Sequence, residues 1–315
     1  MLCSITHVTK FRYSAPITES VMELRMQPRN EGIQHCLKFD LTLHPPGRVQ
    51  FYRDYQGNTI HHFGIPGSHT QLVITTKSLV EMMPPAPVPE ALERSAWDEL
   101  DAMVSDGDYW DHLMPSHFAH PTDLLHDFSR EFDLSRDSDP LTLLRRLNTA
   151  IFEAFEYAPQ STAVDSSIDE ALSAKRGVCQ DFSHIMIALT RALKIPCRYV
   201  SGYLYHREEN SDRSAQDATH AWIEALLPDL GWVGFDPTNN LIAGDRHIRV
   251  AVGRDYADVP PTRGVFKGVA ESDLSVAVQV KQPDEALSEE EMKTIAELSQ
   301  AAAEKGQSQE QQQQQ

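Results

Sequence analysis

Apolar positions along the chain recur with two different periods, and the change from one to the other divides it. From Ile5 to about Met83, short runs rich in Val, Ile, Thr, Phe and Tyr, such as LKFDLTLHP and QLVITTKSLVEM, alternate with the turn signals PPG at 45–47, QGN at 56–58 and IPGS at 65–68. This pattern predicts an antiparallel β domain over residues 1–83. PPAPVP at 84–89 closes it, because proline lacks an amide donor and fixes φ. Beyond that point ALERSAWDELDAMV, PTDLLHDFSREF and DPLTLLRRLNTAIFEAFEY carry apolar residues at helical spacing, for example Leu143, Leu144, Leu147, Ile151 and Phe155. A further helix follows Cys179, with Phe182, Ile185, Met186, Leu189 and Leu193 on one stripe. The β-branched and aromatic content of IPCRYVSGYLYH, HAWIEALLP and GWVGFDP then predicts three strands. Residues 84–282 therefore read as a helical segment and an α+β core. In 283–315, Ser288 and Glu291 have capping-box spacing ahead of Met292, Ile295 and Ala296, predicting a short helix. GQSQEQQQQQ offers nothing to bury and is expected to be disordered.

At 315 residues, 41% hydrophobic and 23% charged, the chain has the balance of a folded protein of about two domains. Its net charge of -18 argues against attraction to nucleic acid or anionic lipid. MLCSITHVTKFRYSAP lacks a signal-peptide core and no segment approaches the roughly 20 apolar residues of a membrane span, so a cytoplasmic location is expected. Cys3, Cys36, Cys179 and Cys197 show no CxxC spacing, which argues against a zinc ribbon or a disulfide framework and predicts free thiols. His61 and His62 are strand neighbours that point to opposite faces, and HAWIE matches neither HExxH nor a deaminase signature, so no metal site is expected.

The chemistry centres on KRGVCQDFSH. Cys179 falls at a helix N-terminus, where unpaired N–H groups and the helix dipole favour a thiolate. A thiol nucleophile needs a base that can pass its proton to a leaving amine, and histidine is the usual one. His184 lies about 140° around the helix from Cys179 and faces elsewhere. His220 opens the strand HAWIEALLP on the face of Trp222 and Glu224, and Asp236 shares a face with Trp232 and Gly234 in the next strand. PDLG reads as the hairpin turn between them. If the pairing register sums to an even number, Asp236 points to the side of His220 and can hold the imidazole. Pro237 supports a strand ending at Asp236.

RGVCQDFSH, THAWIEALLPDLGWVGFDPTNN and HIRVAVGRDYADVPPTRG resemble bacterial members of the transglutaminase-like superfamily, and the β-rich and helical regions are similar too. The resemblance implies a papain-like core, with Cys179 as nucleophile, His220 as general base and acid, and Asp236 as orienting carboxylate, and no cofactor. More distant papain-like enzymes carry an oxyanion-binding glutamine six residues before the cysteine; here that position is Ser173. The backbone N–H of Cys179 is the expected first oxyanion donor, with Gln180 or the stretch YAPQST, which begins at Tyr157, as sources of a second. Asp181 and His184 are expected to tie the helix to neighbouring strands or to act behind the site. Trp222, Asp255 and Tyr256 are candidate substrate-binding residues, and Cys197 reads as an interior strand residue.

The leading expectation is a thiol acyl-transfer enzyme, a peptidase or amidase that acts on a peptide or protein substrate through an acyl-thioester. Transamidation by an amine is the alternative within the same chemistry. A non-catalytic binding or assembly module is the alternative of another class. No EF-hand-like spacing supports calcium-triggered crosslinking.

Overall fold

The computed structural model describes residues 1–282 apart from Asp106, Gln160 and Glu208. The terminal helix and Gln-rich tail expected over 283–315 lie outside the described residues. Four strands come first: β1 (Leu2–Leu24), β2 (Gln34–His44), β3 (Val49–Arg53) and β4 (Thr59–Met82). The turns at PPG and QGN connect β2 to β3 and β3 to β4 as their composition predicts. IPGS, by contrast, lies inside β4. Glu19 of β1 is opposite Pro66, next to a register shift beside Ile17. There the ladder is already interrupted, so a residue without an amide donor is tolerated, and Gly67 takes φ +90°. The result is one bent strand of 24 residues where a turn is expected.

The middle of the chain is helical: α1 (Ala96–Ser105), α2 (Asp123–Glu131) and α3 (Pro140–Ala154), followed by β5 (Glu156–Tyr157), α4 (Ile168–Ala174), β6 (Arg176–Gly177) and α5 (Cys179–Ala192). Asp139 starts α3 by accepting from the amides of Leu141 and Thr142, with Pro140 in the first turn, where its missing donor costs nothing. The core strands are β7 (Cys197–Leu204), β8 (His220–Leu227), β9 (Gly231–Asp236), β10 (Leu241–Ile242) and β11 (His247–Gly253), arranged in the order β10-β9-β8-β7-β11. Neighbours in this sheet are antiparallel. One face carries Tyr199, Ile223 and Phe235, which pack with Phe182, Ile185 and Leu189 of α5 and Leu144, Leu147 and Ile151 of α3 into a continuous apolar core. Truncating any of these to Ala costs about 2–5 kcal/mol by general experience with cores.

Two more strands, β12 (Thr262–Lys267) and β13 (Ser272–Lys281), return to the first sheet. β13 pairs with β1 from Ser4 opposite Lys281 to Tyr13 opposite Ser272, and β12 continues along β1 from Glu19 to Leu24. The sequence reading assigns these residues to the second domain. Their sheet membership follows from the length of β1, whose edge away from β4 would otherwise leave a long row of unpaired N–H and C=O groups. Between the two sheets lies a further apolar cluster with Cys3, Ile5, Val80 and Met82 on one side and Tyr203, Tyr205, Ile248 and Val250 on the other. Gln34 ties them by polar bonds, donating to the carbonyls of Arg29 and Arg249 at 2.8 Å each and accepting from the Arg249 amide at 2.8 Å. No helix among the described residues is long and apolar enough to cross a membrane.

The candidate active site

Cys179 is the first residue of α5 and is half-buried. The helix start is built by Asp181, whose carboxylate accepts from the Val178 amide at 2.8 Å and from Thr162 Oγ1 at 2.7 Å. Burial raises the pKa of Asp181 despite these bonds. Gly177 is required here for room: a Cβ on it would stand 2.8 Å from Asp181 Oδ2. Gln180 donates its amide to Val164 O at 2.9 Å, which commits the side chain to the preceding loop. Ser173 lies on α4 and is exposed.

The hairpin from β8 to β9 has the even register that the site needs, with Ile223 opposite Phe235. It brings His220 Nε2 to 2.8 Å from Asp236 Oδ2, with both side chains buried. Burial by itself lowers the pKa of His220, but the charge and hydrogen bond of Asp236, followed by those of Cys179, outweigh it and raise it to about 10. The Cys179 thiol thus bears on the imidazole electrostatically, and His220 Nδ1 is buried with no hydrogen-bond partner among the described residues. Burial opposes ionisation of Asp236 as well, yet the charge of His220 and the bonds from His220 and His247 hold its carboxyl well below the usual range. The histidine and the aspartate are thus joined, with the free imidazole nitrogen left for a further partner.

The carboxylate is held on every side. Asp236 Oδ2 also accepts from Asn239 Nδ2 at 2.8 Å and from His247 Nε2 at 3.1 Å. Oδ1 accepts from the amides of Thr238 at 3.0 Å and Asn239 at 3.2 Å, an Asx turn that ends β9. Asn239 extends this support to the segment before His220, since it donates to Ser214 Oγ and accepts from the Arg213 amide. Among the described residues, His220, Asp236 and His247 have ligand atoms within 4.8 Å of one another and could converge on a metal ion. Here Oδ2 is already taken up by hydrogen bonds from both imidazoles and an amide, so the group reads as a hydrogen-bonded cluster. His247 and Asn239 are not singled out in the sequence reading. DPTNN carried the Asx-turn signal for Asn239, whereas nothing local marked His247.

Trp222 is fully buried and stacks on His220, with ring centroids 6.0 Å apart and planes at 29°. It backs the imidazole and does not line a substrate surface, which corrects the sequence expectation. Asp255 also departs from that expectation: it is buried, accepting from the amides of Phe118 at 2.7 Å and Ala257 at 2.9 Å. Tyr256 donates its amide to His184 Nε2 at 3.2 Å, and its half-buried ring lies against Phe118 and Tyr199. His184 is stacked on Phe118, and burial pushes its pKa down to about 3, so it is a neutral packing residue. Cys197 is buried, with its thiol pushed up to about 11.

Tyr157 is placed differently. It pairs with Gly177, two residues before Cys179, and its hydroxyl accepts from the Ala215 amide at 3.3 Å, five residues before His220. Burial, and then the charge of Cys179, raise its pKa and keep the phenol protonated. An open groove of about 620 Å³, lined by Glu153, Phe155, Glu156, Lys175 and Arg213, ends at this ring.

Comparison with known proteins places this geometry in a family. Residues 128–237 match the transglutaminase-like superfamily and residues 3–81 the bacterial transglutaminase-like N-terminal region. An uncharacterised protein of Mycobacterium leprae is 32% identical over 277 residues, which is 88% of this chain and 97% of that protein. An uncharacterised protein of Mycobacterium tuberculosis is 33% identical over 303 residues, with 88% and 91% covered. A protein-glutamine gamma-glutamyltransferase of Pseudomonas aeruginosa is 29% identical over 150 residues, covering 46% of this chain and 22% of that protein. The solved structure of a Cytophaga hutchinsonii protein described as a candidate cysteine protease has a TM-score of 0.70 at 22% identity, over 91% of this chain and 92% of its own. The shared fold is that of thiol-dependent enzymes, and the chain belongs to the transglutaminase-like superfamily in its bacterial form, with the N-terminal region characteristic of that group.

Proposed function

We propose that this protein is a thiol acyl-transfer enzyme acting on peptide or carboxamide bonds of a peptide or protein substrate. What supports this reading is a half-buried cysteine at the start of α5 together with the buried His220–Asp236 pair, in which the imidazole Nδ1 is unpaired and the charge state of His220 responds to Cys179. Cys179 Sγ attacks the carbonyl carbon, and His220 passes the proton to the departing amine as the C–N bond breaks and the acyl-thioester forms. Water then adds to the thioester with His220 as base, and the thiol leaves, giving the acid. The oxyanion is met by the Cys179 amide, which has no intrahelical partner in the first turn, and by the Tyr157 hydroxyl, whose oxygen is anchored by Ala215 while its proton remains available.

Transamidation is the second reading, favoured by the name of the Pseudomonas relative. It differs only in that a primary amine replaces water at the thioester.

Iodoacetamide labelling near neutral pH tests the nucleophile. Cys179 is expected to react well ahead of Cys36, with Cys3 and Cys197 protected by burial, and His220→Ala should suppress the reaction. Labelling no faster than at Cys36 would sink the enzyme reading in favour of a binding module. Mass spectrometry of peptide amides incubated with and without a primary amine separates hydrolysis from transamidation.

A further inference from the structure

We infer that His247 is a positioning residue for Cys179, His220 and Asp236: a neutral imidazole that donates to the oxygen of Asp236 which also receives His220. This deepens the acyl-transfer reading and rests on it.

The tautomer follows from the bonds. Gly244 donates its amide to His247 Nδ1 at 3.3 Å, so Nδ1 is an acceptor and the ring proton sits on Nε2. Nε2 then donates to Asp236 Oδ2 at 3.1 Å. Both ring nitrogens are satisfied in the neutral form, and the ring is buried. Burial lowers its pKa against the pull of Asp236, so it stays uncharged while His220, attached to the same oxygen at 2.8 Å, is drawn toward the charged form. The indole of Trp222 separates their roles, stacked on His220 and edge-on to His247 with centroids 5.2 Å apart. The charged and titratable groups bearing on the pair are Asp236, Cys179, His206 and Arg246.

Two consequences follow. The extra donor fixes the carboxylate plane, so that Oδ2 presents a lone pair to His220 in one orientation. It also spends part of the carboxylate's negative potential, so the imidazolium of His220 is held less tightly than it would be by Asp236 alone, and its proton is easier to give to a leaving group.

The test follows the rate of Cys179 alkylation by iodoacetamide against pH, which requires no knowledge of the substrate. Wild-type protein is expected to show a second step as the His220 imidazolium loses its proton. His247→Leu should move that step upward by about half to one pH unit and slow acylation by an activated ester about tenfold, the worth of one hydrogen bond to a charged group. His247→Gln, which keeps a donor, should restore both toward wild type. An unmoved step in His247→Leu, or equal shifts in both variants, would overturn the inference. Should His247→Leu not fold, ¹⁵N NMR of the wild-type histidines decides: His247 should be the Nε2–H tautomer at neutral pH and above, and an Nδ1–H tautomer or an imidazolium there would refute the inference. These failures differ from failure of the acyl-transfer reading, in which wild-type Cys179 itself shows no selective labelling.

Discussion

Replacing Asp236 with Asn removes a charge while keeping volume, and its effect should depend on pH in a defined direction. The carboxylate accepts five hydrogen bonds, whereas an amide oriented to accept at one oxygen turns its NH₂ toward donors at the other. It also leaves the buried imidazole of His220 without its counter-charge. Breaking a buried charged pair from one side costs about 3–5 kcal/mol. The two partners set the pH window with opposite signs. His220 has a raised folded pKa, so its contribution is complete below the unfolded value near 6.5 and is lost as pH climbs toward about 10. Asp236 has a depressed folded pKa, so its contribution is complete above about pH 4 and is lost as pH falls. The pair therefore stabilises most between about pH 4 and 6.5. Urea unfolding of both proteins near pH 6 and near pH 9.5 should show a stability gap of about 3–5 kcal/mol that narrows at the higher pH. His7 and His184, whose pKa values burial lowers, titrate alike in both proteins and cancel in the difference. A gap of equal size at the two pH values would refute the charged-pair account.

Other consequences are quick to check. Tyr157→Phe should cut acylation by an activated ester about tenfold or more through loss of one oxyanion donor, yet leave iodoacetamide alkylation of Cys179 unchanged, because displacement at an alkyl carbon forms no oxyanion. A fall in both rates would instead mean that the phenol holds the site's shape. Gly202→Ala would place a Cβ 2.1 Å from Ile248 O and 2.7 Å from Trp222 Cη2. It should destabilise the fold by about 1–3 kcal/mol in urea titration, with Cys179 labelling disturbed through the displaced indole. Asp181→Ala should cost about 1–2 kcal/mol by removing the helix-start acceptor for Val178 and Thr162, and differential scanning calorimetry would register the loss as a lower Tm.

The parts of the site that were legible in the sequence are those set by local periodicity. Alternation fixed the faces of His220 and Asp236, and a hairpin as short as PDLG left few registers, so that one even register joined them. Helical spacing after Cys179 gave α5 and its buried stripe. His247 was not legible because two strands, β8 and β7, lie between β9 and β11 in the sheet, and its ring reaches Asp236 beyond a loop whose Ala243 packs against Trp222. The room for that loop comes from Gly234, where a Cβ would stand 2.4 Å from Ala243 Cβ. Trp222 and Asp255 were misplaced for a related reason: residue type suggested contact with substrate, whereas burial is a property of the assembled layers. β13 carries alternation of its own, but which edge it and β12 would join depends on a partner some 250 residues earlier.

That last pairing has a consequence for how the molecule is made and how it can be cut. β1 lies between β4, which follows it closely in the chain, and β13, which is made only after all of α1 to β12, so the first sheet stays open on one side until the second has been synthesised. A fragment stopping at the proline-rich boundary would carry a naked hydrogen-bonding edge more than twenty residues long, an invitation to pair with its own kind. The two halves of this protein are best regarded as parts that mature together, and dissection at 84–89 is expected to make the amino-terminal piece more prone to aggregate than the uncut chain.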